Sequence, residues 1–311
     1  MSLTAVMTAL DLLDSAHVSG ADVTAAIRAT GTEIVEVVSV EGDGGRTDFV
    51  RALIPGGEGR LRGGAAPTLG IIGRLGGIGA RPEQIGLVSD ADGAVTAVAC
   101  AFKLGHMRRH GDVLTGDVMI ATHVCPNAPV RPHSPVPFMA APVDMATLNQ
   151  HEVHVDMDAI LSVDTTRGNR VINRRGFAIS PTVKDGWILR VSEDLLDIQQ
   201  IVTGQSPAVF PITMQDITPY GNGVYHLNSI LQPATATDAP VVGLALTAEV
   251  AVPGSATGAS QPTDIEQAVR FAVEVAKAYT RGRCRFYDAA EWDVLTKRYG
   301  QMTHLQTPGT A

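Results

Sequence analysis
The sequence predicts an α/β protein: a three-layer α/β/α sandwich with a mixed, largely parallel sheet, built as a single domain over residues 1–311. Three observations lead there. Apolar runs of strand length alternate with longer runs of helical period. Some short runs, such as Val118-Met119-Ile120-Ala121, are continuously apolar, the pattern of a strand buried on both faces. Two of them end in a carboxylate, at Asp90 and Asp164, and open α/β sheets bind ligands at the carboxyl ends of their strands.

The elements follow in order. Residues 5–15 repeat at helical period, with Val6, Leu10 and Leu13 on one side. Ser19 and Asp22 start a second helix through Ala29, and Gly31 stops it. Residues 33–40 and 47–54 read as strands. The glycine-rich stretch 55–67 lacks the Lys-Ser/Thr ending of a phosphate loop and reads as a connector. Residues 68–72 form a short strand that ends in a glycine-rich turn holding Arg74. Residues 85–89 read as a strand that delivers Asp90, with an Ala/Val-rich helix over 94–104 behind it. A carboxylate there faces the positive end of the helix dipole. Residues 117–123 form the next strand. The prolines from Pro126 to Pro142 are then too frequent for regular structure, so a long loop is expected. Residues 159–164 and 176–180 are strands, 187–203 an amphipathic helix, and 209–213 an edge strand because it carries Pro211. A short helix over 225–231 and a buried strand over 241–247 come next. Thr263 and Glu266 fit a capping box that opens a helix to Tyr279.

Composition narrows the function. Hydrophobic residues make up 45% of the chain and charged residues 18%, which supports a sizeable core. A net charge of −8 argues against a nucleic-acid surface. Cys100, Cys125 and Cys284 are widely spaced and odd in number, so neither a disulfide framework nor a CxxC zinc site is expected, and a reducing cytoplasm fits best. The first twenty residues lack a basic leader, and no apolar run approaches the roughly 20 residues of a membrane span. The expected partner is a small-molecule substrate, with no nucleic acid and no membrane; the sequence leaves a homo-oligomer open.

The segments Gly-Arg-Leu-Gly-Gly-Ile-Gly (73–79), Val-Ser-Asp-Ala-Asp-Gly (88–93), Thr-His-Val-Cys-Pro-Asn-Ala-Pro (122–129) and Asp-Ile-Thr-Pro-Tyr-Gly-Asn-Gly (216–223) resemble an uncharacterised bacterial family of unknown function over nearly the full length. The order of segments also resembles, remotely, the di-zinc aminopeptidases of the glutamyl/deblocking type. That resemblance implies a zinc-exopeptidase-like fold without the inserted accessory domain. It implies metal-ligand positions at Asp90 and Asp164. The other ligand positions of those enzymes would fall on Arg74 and Gly76, near His123-Val124-Cys125, and near Gly254, where the residue types differ.

The expected site is therefore built on strand ends. Asp90, His123 and Asp164 are expected to hold one divalent metal, zinc or manganese, with Asp92 or Cys125 moving protons. Close like charges at Asp90 and Asp92 raise one pKa, which suits proton transfer. Arg74, Asn127, Thr165, Arg170, Tyr220, Asn222 and His226 are expected to touch substrate, the arginines through its anionic groups. Hydrolysis of a small amide, peptide or amino-acid-derived substrate is the first reading. A metal-free isomerase or epimerase using Cys125 and His123 is the second. A degenerate peptidase fold that only binds a ligand or partner is the third. The His-x-x-His string at His151 and His154 lies in a polar stretch and reads as solvated.

Overall fold
The computed structural model describes residues 1–74, 77–212 and 224–307. In chain order the elements are α1 (Ser2–Leu13), α2 (Gly20–Ala29), β1 (Ile34–Gly42), β2 (Gly45–Ile54), β3 (Leu69–Gly73), α3 (Asp92–Arg109), β4 (Val118–Val124), β5 (Val130–Arg131), β6 (Phe138–Met139), α4 (Met145–Glu152), β7 (Ala159–Thr165), β8 (Gly176–Lys184), β9 (Trp187–Ile188), α5 (Glu193–Thr203), β10 (Val241–Thr247), α6 (Pro262–Thr280) and α7 (Ala289–Tyr299). A 3-10 segment, Ser229–Thr235, precedes β10.

Eight strands form one sheet in the order β1-β2-β4-β3-β7-β10-β8-β9. The four central strands, β4, β3, β7 and β10, run parallel. The outer pairs β1/β2, β2/β4, β10/β8 and β8/β9 are antiparallel. The sheet is thus mixed with a parallel centre, as the sequence predicts. A separate two-stranded ribbon, β5/β6, lies in the proline-rich loop.

Period-2 alternation divides each central strand between two cores. On β7, Ala159, Leu161 and Val163 join the larger core with α1, α2, α3, α5 and α6. Ile160 joins the second core, which includes Leu227, Ile230, Leu231 and Ala234 of the segment leading into β10. On β4, Val118, Ile120 and Val124 take the first side, and Met119 and Ala121 the second. α4 caps the second side with Leu148, which packs on Phe49 and Val143. Three layers result. One is thick and helical. The other is thin, made of α4, the 3-10 segment and extended chain.

Several elements differ from expectation, for local reasons. Residues 85–88 form no strand: Val88 makes only an isolated bridge to Thr257, and a short 3-10 turn at Ser89–Ala91 presents Asp90. The helix expected over 187–203 begins at Glu193, where the Ser192 hydroxyl accepts from Leu195 N–H. Residues 187–188 instead pair with β8. At α6 the expected capping box does not form. Gln261 is the N-cap without a side-chain bond, and Pro262 occupies the first turn, where its missing N–H costs nothing. Val209 makes a single bridge to Ile179 rather than a strand, and residue 213 lies outside the described residues. α4 was not expected. Among the described residues, no helix is long and apolar enough to cross a membrane.

Candidate functional site
The carboxyl ends of the parallel strands place the chemistry, and alternation splits it into two clusters. Asp164 shares the parity of Ile160, so it faces the α4 side. Thr165, the next residue, belongs to the α3 side and donates from Oγ1 to Asp90 Oδ1 at 2.7 Å. The strand end of β7 therefore serves both faces.

On the α3 side, Asp90 is buried. Its Oδ2 accepts from the backbone N–H of Met139 at 3.0 Å, which ties the proline-rich loop to the strand ends. The backbone N–H of Asp90 donates to Gly254 O at 3.0 Å. A Cβ at position 254 would overlap the Asp90 carboxylate, so only glycine fits there. Asp92 opens α3 in full burial. Its oxygens are met by Arg167, at 2.5 Å, and by the Ser260 hydroxyl. Burial pushes its carboxyl above the usual range, against the opposing pull of Arg167. A cavity of about 30 Å³ lies over this cluster, walled by Asp90, Thr165, Arg167, His133 and Ser229. The proline-rich loop thus roofs the Asp90 cluster.

On the α4 side, Arg74 leaves the end of β3 and turns under α4. Its Nη1 donates to Glu152 Oε2 at 2.6 Å and to Asn149 Oδ1 at 3.3 Å; its Nη2 reaches Gln232 Oε1 at 3.0 Å and the Met145 sulfur at 2.8 Å. Arg74, Glu152, Asn149 and Gln232 are buried, and Met145 is half-buried. Glu152 Oε1 has no hydrogen-bond partner and lies 3.9 Å from His123 Nε2. His123 Nδ1 is 2.8 Å from the Thr47 hydroxyl, and its ring packs 5.4 Å from Phe49. Burial, opposed by Arg74, pushes the Glu152 carboxyl up to about 7. Burial, assisted by Arg74, pushes His123 down to about 3, so its imidazole is neutral at neutral pH. Asn149 also donates to Gln232 O and Thr235 Oγ1, and it forms part of the wall of a groove of about 1130 Å³.

Sequence reasoning missed Glu152, Asn149 and Gln232. One signal for α4 was present: Asp144 before Met145-Ala146-Thr147-Leu148, whose side chain caps the Thr147 N–H at 2.8 Å.

The structure brings together Asp90 with Thr165, and Arg74 with the Glu152–His123 pair. It separates others. Cys125 packs in the larger core; burial raises its thiol pKa, the opposite of what a nucleophile needs. Asn127 and Arg170 are exposed. His226 sits against the C-terminal segment, 3.5 Å from Leu305 O, in a different cavity shared with Val183 and Gly186. Tyr220 and Asn222 lie outside the described residues.

The expected metal triad does not assemble. Among the described residues, no three His, Cys, Asp or Glu side chains are grouped so as to hold a metal ion. His123 and Asp164 share the α4 side by strand parity, whereas Asp90, on the turn before α3, bonds to Thr165 on the other side. The oxygens of Asp90 are engaged by Thr165 and Met139, and those of Asp92 by Arg167 and Ser260. Beside Glu152 and His123 the positive charge is a guanidinium. These residues do not fit a divalent metal, zinc or manganese.

Among solved structures, the chain is similar to the cytosol aminopeptidase from Coxiella burnetii at 13% identity and a TM-score of 0.49, over 91% of this chain and 69% of that one. It is also similar to a mutant of tomato leucine aminopeptidase at 14% identity and a TM-score of 0.46, over 86% of this chain and 60% of that one. No curated protein matches the sequence. The chain belongs to the family described as Protein of unknown function (DUF1177), whose profile matches residues 38–309.

Proposed function
We propose that this member of the family hydrolyses a small amide or peptide-like substrate without a resident metal, with Glu152 as the group that moves the proton. One observation carries the reading: a buried carboxyl whose Oε1 is unpartnered and whose pKa stands near 7. A general base works best when its pKa lies near the operating pH, and such groups concentrate at functional sites.

Ionised Glu152 takes a proton from water as the water oxygen bonds to the amide carbon. The carbonyl π pair moves onto oxygen. The proton then passes to the amide nitrogen as the carbon–nitrogen bond breaks, and Glu152 returns to its starting state. The Arg74 N–H that faces the Met145 sulfur, a weak acceptor, is the donor available to the developing oxyanion. Neutral His123 and the Asn149 amide hold the neighbouring positions. The groove along α4 is the route by which substrate reaches Asn149. The thiol-based isomerase reading receives no support, because the Cys125 thiol is buried and its pKa raised.

The test is a panel of aminoacyl and acyl anilides and small amides, offered to chelator-treated protein. Turnover that survives chelation and falls about 100-fold or more in Glu152→Gln supports the reading. Turnover unchanged in Glu152→Gln, or restored only by added metal, overturns it. Loss of turnover with retained ligand binding in that variant separates catalysis from binding.

A further inference from the structure
β1 lies at one end of the sheet and, among the described residues, pairs with β2 alone. The hairpin fixes which of its backbone groups are used. Gly42 and Gly45 close a two-residue turn, Asp43-Gly44, and such a closing pair exchanges hydrogen bonds. Bonded and non-bonded pairs then alternate along an antiparallel ladder. The even-numbered residues from Ile34 to Gly42 therefore bond to β2. The odd-numbered ones, Val35, Val37, Ser39 and Glu41, turn their N–H and C=O groups away from it. A side-chain bond agrees with this parity: the Val35 carbonyl, on the outer side, accepts from Arg28 Nη2 at 2.7 Å. Arg28 closes one end of the outer row, and the turn closes the other. Val37, Ser39 and Glu41 lie between them, and Ser39 is the midpoint of that run.

We infer that β1 is a self-association surface: a second copy of this chain lays its own β1 antiparallel against the first, on a two-fold axis at Ser39. Three observations select that partner. The outer row is self-complementary, because each of its residues offers one donor and one acceptor and a two-fold axis makes the copies exchange them. The side chains fit the same register. Val38 faces Val40 of the second copy in a non-bonded pair, where side chains come closest. Val38 is 48% exposed, and Val40 packs on Phe49, Val143 and Leu148, so the pairing covers an open valine and extends an existing apolar cluster. Glu41 faces Val37 of the second copy and Glu36 faces Gly42 of the second copy, so no carboxylate opposes another. Finally, the usual obstacles are absent from the strand. Residues 34–42 contain no lysine and no proline, and the β1/β2 register runs through nine consecutive pairs without a bulge.

Sedimentation equilibrium of the full chain, from about 1 to about 200 µM, reads the association. The wild type is expected to pass from the mass of one chain to that of two. Ser39→Pro removes the central outer N–H and leaves the ladder to β2 its bonds, as an edge position allows. Val38→Lys sets a charge into the valine contact. Each is expected to weaken the dimer at least about 30-fold, since the two-fold axis counts every loss twice. Ser39→Ala loses the side-chain bonds to Asp48 and Arg46 but keeps the N–H, and it is expected to pair as the wild type does. Amide hydrogen exchange needs no variant. The amides of Val37, Ser39 and Glu41 are expected to slow as concentration rises, while those of Val38 and Val40 are protected throughout. A wild type that stays a single chain at about 200 µM overturns the inference and leaves this edge to a strand of another protein. So does a dimer that both Ser39→Pro and Val38→Lys leave intact, or one whose odd-numbered amides exchange at the same rate at every concentration. Mass and exchange are the readouts, so the outcome is independent of the hydrolase reading.

Discussion

Glu152 Oε1 lies 3.9 Å from His123 Nε2, and both side chains are fully buried. Their pKa values move in opposite directions, Glu152 up to about 7 and His123 down to about 3. The pair therefore holds its proton on the carboxyl, whereas the unfolded chain holds it on the imidazole.

That exchange gives a pH signature. Between the ordinary carboxyl value of 4.5 and the ordinary imidazole value of 6.5, the folded and unfolded states each hold one proton on this pair, so its contribution to stability is flat. From about pH 3 to 4.5 the unfolded state holds more protons and stability rises with pH. From 6.5 to about 7 the folded state holds more and stability falls. In His123→Asn only the carboxyl remains. Stability is then expected to fall across pH 4.5 to 7, by about 3 kcal/mol at roughly 1.4 kcal/mol per pKa unit. In Glu152→Gln the rise is expected to continue to pH 6.5. Denaturant unfolding at half-unit pH steps reads both slopes. Identical profiles in wild type and both variants would refute the assignment.

Asp92 and Arg167 form a buried ion pair at 2.5 Å, at the start of α3. Removing one partner of such a pair strands a charge, which costs about 3–5 kcal/mol. Arg167→Met is expected to lose about that much in urea unfolding. Adding Asp92→Asn removes the stranded charge, so the double variant is expected to be more stable than Arg167→Met alone. Equal stabilities of the single and double variants would rule out coupling.

Asp90 fastens the proline-rich loop through Met139 N–H. In Asp90→Ala that N–H and the Thr165 hydroxyl lose their acceptor, a loss of about 1–3 kcal/mol. Faster amide hydrogen exchange is expected over residues 130–142, with β3 and β7 unaffected. Exchange that is unchanged in the loop would show that other contacts hold it.

Burial pushes the thiols of Cys100 and Cys284 up to about 12 and raises that of Cys125. Native protein is expected to leave all three unlabelled by a disulfide reagent at pH 8, and denatured protein to label all three. Rapid labelling of Cys125 in the native state would reopen a thiol role.

The parallel centre and the carboxylate near the end of β7, Asp164, were legible in the sequence, whereas Asp90 sits on a 3-10 turn rather than at a strand end. Strong local periodicity and continuous apolar runs mark β4, β7 and β10 without any tertiary information. What could not be read is which side chains meet. Asp164 and Thr165 are neighbours in sequence, yet they face different layers. Alternation predicts that split, but only the neighbouring elements say what each layer contains. α4 is a helix of eight residues, too short to be stable alone. It is held by the burial of Leu148, Asn149 and Glu152. Two of those are polar, so its stripe looks like a solvated loop. Residues 85–88 show the converse error: Leu87 and Val88 are apolar because they are buried in the core beside α3, not because they pair in the sheet, and Ile85 is exposed.

The two ends of the sheet are unequal. β1 is nine residues long and, among the described residues, pairs with β2 alone; Ile34, Val37 and Val38 are substantially exposed, no lysine or proline lies along it, and Arg28 donates to the Val35 carbonyl. β9 offers two residues, and the chain returning past Gly300 and Met302 bonds to Trp187 and Asp185 across that end. Strand-by-strand joining of molecules thus has one competent terminus. Two copies meeting edge to edge through β1 would use up both templates and present no new one, so growth by this route ends at a pair and cannot propagate into a fibre.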